Sequence, residues 1–180
     1  MLFKIFIVVA IVVAVLLLIV SLQPSAYRVE RSATIASPAT AISPHINDLR
    51  QAAVWSPWLK MDPNVKTAYE GPVAGIGASS TWSGNNQIGE GRQTITEARA
   101  NELVRIKLEF LKPMQGVSTA DFTLKPSRGG TVVSWSLYGE SGFMGKIFCL
   151  FMNQDKMIGT QFEKGLADLK ALVERETPTT

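Results

Sequence analysis

The chain has 180 residues, and an apolar leader leaves about 155 for one ordinary domain, enough to fold without a disulfide or metal staple. A single cysteine, Cys149, and a single histidine, His45, exclude an intrachain disulfide, any CxxC motif and a metal site built on several histidines. With 18 basic and 15 acidic residues scattered along the chain, the net charge of +3 lacks the basic stripe of a nucleic-acid binder, and no nucleic-acid partner is expected.

Between Leu2 and Leu22 the only charge is Lys4, and positions 5–20 are unbroken Ile, Val, Leu, Phe and Ala. About 20 such residues at 1.5 Å each match a hydrocarbon core of ~30 Å. A cleaved secretory signal has a shorter apolar region and small residues at its cleavage site, whereas Pro24 stands here where one would be needed. The reading is therefore a retained transmembrane anchor over 1–23, with a linker at 24–26, a domain over 27–176 and a disordered tail at 177–180. Lys4 before the span and Arg28 and Arg31 after it nearly balance; the leader's likeness to an export signal tips the expectation toward an extracytoplasmic domain on a single-pass membrane protein.

Positions 27–35 alternate, with Tyr27, Val29, Ala33 and Ile35 on one face, which predicts a half-buried strand. Ser37-Pro38 reads as an N-cap followed by proline at the first helical position, opening a short helix over 38–46 that contains Pro44. A second helical turn is expected over 47–53, then the loop signals Trp55-Ser56-Pro57-Trp58 and Asp62-Pro63. Six further strands are predicted near 65–70, 78–83, 88–97, 103–110, 117–125 and 131–138, joined by turns short enough to make antiparallel hairpins. The clearest alternation puts Val104, Ile106, Leu108 and Phe110 inward and Arg105, Lys107 and Glu109 outward.

The C-terminal part supplies a cover for the apolar face of such a sheet. Ile158, Phe162, Leu166, Leu169 and Val173 form one stripe of a helix, opposite Lys156, Glu163, Lys164, Asp168, Lys170 and Glu174. Gly159 and Gly165 interrupt this helix at about 1 kcal/mol each relative to alanine, which points to close approach or bending. Positions 143–152 read as a leading turn or second helical piece, with Cys149 as an inert buried thiol.

Several strings resemble the START-related, Bet v 1-like superfamily, the polyketide cyclase/dehydrase and lipid transport group, and its membrane-anchored bacterial members in particular. They include Tyr27-Arg28-Val29-Glu30-Arg31-Ser32, Trp55-Ser56-Pro57-Trp58, Gly75-Ile76-Gly77-Ala78, Trp82-Ser83-Gly84-Asn85, Phe110-Leu111-Lys112-Pro113 and Phe162-Glu163-Lys164-Gly165-Leu166. The resemblance implies an α+β helix-grip fold, a curved antiparallel sheet wrapped on the long C-terminal helix with an apolar cavity between them. Trp82, Phe110, Phe122, Trp135, Phe162 and Leu166 are then the candidate cavity residues, against the commoner fate of buried aromatics as plain core. Trp135 and Tyr138 differ in parity, so only one points inward, and Trp135 shares its side with Val133 and Leu137.

Trp55 and Trp58 are expected to pin their loop by packing, with a gate or a headgroup position as the other reading. His45, after Pro44 in a short helix, reads as a surface histidine rather than a general base. Glu90, Arg92, Glu109 and Asp121 would serve cyclase-type chemistry only if inward, and outward salt-bridging is the commoner arrangement. The expected partners are therefore a lipid or other hydrophobic small molecule and the bilayer, with no catalytic residue, cofactor or metal assigned. A cyclase/dehydratase-like enzyme would instead show convergent polar groups in the cavity, and a ligand-free interaction domain would show a filled interior.

Overall fold

The computed structural model describes residues 2–151 and 153–176; Met152 and the expected tail at 177–180 lie outside the described residues, as do the side chains of residues 148–151, Cys149 among them. The apolar leader forms α1 (Leu2–Leu22), which is long and apolar enough to cross a membrane. Three residues later the chain enters β1 (Ala26–Ile35). Two short helices follow, α2 (Ala39–Asn47) and α3 (Leu49–Trp55), and then one 3-10 turn at Leu59–Met61.

Six strands come next: β2 (Lys66–Glu70), β3 (Ser79–Ser83), β4 (Glu90–Arg99), β5 (Leu103–Lys112), β6 (Gly116–Ser127) and β7 (Gly130–Glu140). They pair antiparallel with β1 in the order β1-β7-β6-β5-β4-β3-β2, so the long chain return from β1 to β2 makes these two the edges. α4 (Phe143–Phe151) and α5 (Gln154–Glu176) complete the chain, and α5 packs chiefly on β1. The helix-grip arrangement expected from the sequence is the one observed, with a curved seven-stranded antiparallel sheet and a long C-terminal helix.

Two boundaries and the setting of one side chain differ from the sequence reading for local reasons. Ser37 does not cap α2. Its N–H donates to the Ile35 carbonyl at 2.8 Å and its own carbonyl accepts the Thr131 hydroxyl at 2.8 Å, so its backbone stays tied to the sheet. Pro38 takes the cap position instead, in extended conformation, and the Ser37 hydroxyl is buried without a partner among the described residues. β4 begins at Glu90 rather than 88, because Gly89 turns with φ +65°, and two register shifts carry the strand on to Arg99. His45 is also more enclosed than a surface residue: only 13% of its side chain is exposed, with Nε2 3.1 Å from Glu176.

The predicted stripe of α5 faces the sheet. Phe162, Leu166, Leu169 and Val173 are buried in one cluster with Ile35, Val133 and Trp135 from the strands and Ile42 and Ile46 from α2. Both glycines of α5 are sites of close approach. A Cβ on Gly159 would run into the Arg31 guanidinium, and one on Gly165 would sit 2.8 Å from the Trp135 ring and 3.0 Å from Pro57. Glycine's helix-propensity cost is here the condition for seating the helix.

Candidate functional site

Register sorts the side chains of the concave face into rows. Trp135 pairs with Phe122, and Phe122 with Val104, so these three share a row across β7, β6 and β5. Around them an aromatic cluster fills the space beneath the middle of α5. The Trp135 and Phe162 rings stack with centroids 4.2 Å apart, Trp55 meets Trp135 edge-on at 5.5 Å, and Trp58 meets Phe162 at 5.8 Å. Trp55 is buried, and its indole N–H donates to the His45 carbonyl at 2.9 Å. Trp55, at the end of α3, and Trp58, in the loop after it, both pack into this cluster.

The next full row toward the start of β1 is different in kind. Successive pairings join Tyr27, Gly139, Ser118, Leu108, Gln93, Ser80 and Tyr69, one residue from every strand of the sheet. This row is a polar belt. The Tyr27 and Ser118 hydroxyls lie 2.6 Å apart, and the Gln93 amide donates to the Ser80 hydroxyl at 2.9 Å. Gly139 permits the first pair, since a Cβ there would lie 3.2 Å from the Tyr27 oxygen. Hydroxyl and amide groups on a buried face need such partners, and here they find them within the row.

Beyond the belt, Trp82 and Phe110 form a second aromatic group, with centroids 5.9 Å apart. The Trp82 ring lies across Gly91, where any Cβ would collide with it, and its indole N–H donates to the Ile88 carbonyl at 3.1 Å. Leu108, Phe110 and Trp82 are only half-buried, whereas Phe122, Trp135, Phe162 and Leu166 are buried. The six candidate residues thus fall into two groups. Four belong to the cluster packed under α5, and two stand on the part of the concave face that α5 leaves open.

The sequence reading placed Tyr27 on the inward face but assigned it no role, and it singled out none of Ser118, Gln93 or Ser80. Their signal is weak: a polar residue at an inward parity becomes visible as a belt only when the register of all seven strands is known.

The ionisable groups lie elsewhere. Glu90 pairs with Lys112 at 3.1 Å, Arg92 with Glu70 at 3.0 Å and Glu109 with Lys107 at 2.7 Å. Asp121 accepts Nε and Nη2 of Arg105 at 2.8 and 3.0 Å and the Tyr138 hydroxyl at 3.2 Å on the convex side. That hydrogen bonding raises the Arg105 pKa above its ordinary value. All four candidate acid–base groups are in outward ion pairs. At the edge of the concave face, Arg31 reaches α5 and donates to Asp155 at 2.9 and 3.1 Å and to Glu163 at 2.9 Å. These bonds raise the Arg31 pKa further and lower that of Asp155. Among the described residues no cluster of His, Cys, Asp and Glu is arranged to hold a metal ion.

Comparison with known proteins agrees with this architecture. A protein of Mesorhizobium loti shares 14% identity and superposes with a TM-score of 0.61 over 84% of this chain and 99% of its own. Ara h 8.0201 shares 12% identity with a TM-score of 0.55 over 82% of this chain and 97% of its own. The di-domain ARO/CYC protein StfQ, from the steffimycin biosynthetic pathway, shares 14% identity with a TM-score of 0.60 over 84% of this chain, which spans 52% of StfQ. No curated protein matches. Residues 26–174 match the model of one family, and the chain therefore belongs to the polyketide cyclase/dehydrase and lipid transport family, with a Bet v 1-like fold.

Proposed function

We propose that this protein is a bilayer-tethered module that holds a lipid or similar hydrophobic small molecule on the open part of its concave face. The observation that carries this reading is the set Leu108, Phe110 and Trp82, which are large, apolar, inward and only half-buried, beside a row of hydroxyl and amide groups. An apolar surface with a few placed polar groups is the usual character of a small-molecule site. The ligand's chain would lie against Trp82 and Phe110, and its polar group against the belt. Phe122, Trp135, Phe162 and Leu166 would form the closed inner wall. The family's range, cyclases, dehydrases and lipid transport, supports a hydrophobic ligand.

The tether is α1, three residues from β1, which keeps the site beside the phase where an apolar ligand partitions. The export-like leader that opens with Lys4 supports an extracytoplasmic side for the domain.

The test is native mass spectrometry of residues 25–180 after exposure to membrane lipids. Retention of one lipid class at one copy per chain is expected. Retention of none across classes overturns the proposal.

The packed aromatic cluster favours a second reading, an interaction domain without a ligand. It predicts that the Leu108, Phe110 and Trp82 surface is covered by a protein, not a lipid. An enzyme would have to work with the belt's hydroxyls and amide, since Glu90, Arg92, Glu109 and Asp121 are held in outward ion pairs.

A further inference from the structure

The antiparallel register sends the start of β1, the end of β7, the β5–β6 turn and the β3–β4 turn to one end of the sheet. This end also receives the chain from α1. The linker between Leu22 and Ala26 is three residues, which reach at most about 10 Å. The Ser141 N–H donates to the Ser25 carbonyl at 2.7 Å, so the linker is fastened to the junction between β7 and α4. Whatever surface α1 enters, this end of the sheet stands next to it.

The same end carries an unusual share of exposed apolar side chains. Leu111, Met114 and Val117 project around the β5–β6 turn, Phe143 and Met144 open α4, and Met157 lies in the first turns of α5; Phe143 is 50% exposed and Met144 64%. Pairing of Ser118 with Gly139 brings the first of these groups beside the second. Lys112, 68% exposed and paired with Glu90, and Lys146 stand among them beside the exposed Glu140, so the patch is apolar with a polar edge of mixed charge, suited to the headgroup level. Phe110 pairs with Gly116 at this turn, so the apolar rim is also the border of the open concave face.

We propose that this rim, Leu111, Met114, Val117, Phe143, Met144 and Met157, docks on the bilayer that α1 enters. This rests on the anchor part of the proposed function and not on the ligand. Docking sets the domain with its β5–β6 turn and α4 in the headgroup region and its concave face opening toward the lipid. The occupant is a lipid surface and not a second protein, because a linker of three residues leaves no depth for an intervening partner.

The experiment uses the full chain in vesicles of phosphatidylcholine and phosphatidylglycerol doped with a phosphatidylcholine whose acyl chain carries a diazirine. After illumination, adducts are mapped by peptide mass spectrometry. Adducts are expected in 2–22, in 111–117 and at 143–144, and not around Val73 and Ile76, which are equally exposed at the opposite end of the sheet. In the Met114→Glu/Phe143→Glu variant, whose sites are on the surface, rim adducts should fall about tenfold or more while those in 2–22 persist. Adducts confined to 2–22 overturn docking and leave the anchor. Adducts at Leu108, Phe110 and Trp82 without the rim overturn docking while supporting the ligand. Rim adducts without those three support docking against the ligand. Equal labelling around Val73 and Ile76 overturns it as well.

Discussion

Phe162 of α5 lies flat on Trp135 of β7, with ring planes 10° apart and centroids 4.2 Å apart. Helix and sheet are joined through this stack more than through any other single contact of the aromatic cluster. Phe162 is 1% exposed, so Phe162→Ala leaves a void between two faces that Trp55 and Trp58 also border. A loss of about 3–5 kcal/mol is expected in urea unfolding, with the slope unchanged. Phe162→Leu should lose less than half of that.

Gly159 predicts a coupling that neither residue shows alone. Alanine there would press on the Arg31 guanidinium, the far end of a flexible side chain, which moves aside at the expense of its bonds to Asp155 and Glu163. In the natural background Gly159→Ala should therefore be neutral or destabilising. With Arg31→Ala already in place the obstruction is gone, and the same change should stabilise by about 1 kcal/mol, the helix preference of alanine over glycine. A double-mutant cycle by thermal unfolding measures the difference, and additivity within about 0.3–0.5 kcal/mol would refute the coupling.

Acid should loosen the same contact. Hydrogen bonding from Arg31 holds the Asp155 carboxyl below its ordinary value. A carboxyl depressed in the folded state contributes stability above its unfolded pKa of about 3.9, and that share fades as pH falls through the folded value. Natural protein and Asp155→Asn should thus differ modestly at pH 6 and converge toward pH 3. A constant gap across that range would show that Asp155 acts by packing alone.

How much of this was legible beforehand follows from what each feature depends on. The alternation Val104, Ile106, Leu108, Phe110 and the stripe Phe162, Leu166, Leu169, Val173 are properties of single elements, and both face as read. The belt depends on six strand pairings at once, and a register shift such as that between Ile95 and Glu97 is invisible in a list of residues. Ser37 looked like a cap because its partner for the backbone, Thr131, is 94 positions away. The division of the six candidate aromatic and aliphatic residues into a packed and an open group follows from where α5 comes to rest, on β1 more than on β5, and no local pattern encodes that placement.

The two groups should separate in experiment. Phe122 is 4% exposed and surrounded by Trp55 and Trp135, so Phe122→Ala should cost about 3–5 kcal/mol of stability, with any change in lipid retention following from unfolding. Trp82 is half-buried, and its ring rests on Gly91 and Phe110 with one hydrogen bond to Ile88. Trp82→Ala should therefore cost less stability than Phe122→Ala yet remove most of the lipid retained in native mass spectrometry, because the lost surface is the one offered to the ligand. Trp82→Phe, which keeps an apolar ring, should restore much of it. If Trp82→Ala retains lipid as the natural protein does while Phe122→Ala loses it at temperatures where both are folded, the ligand lies under α5 and the open face is not its site.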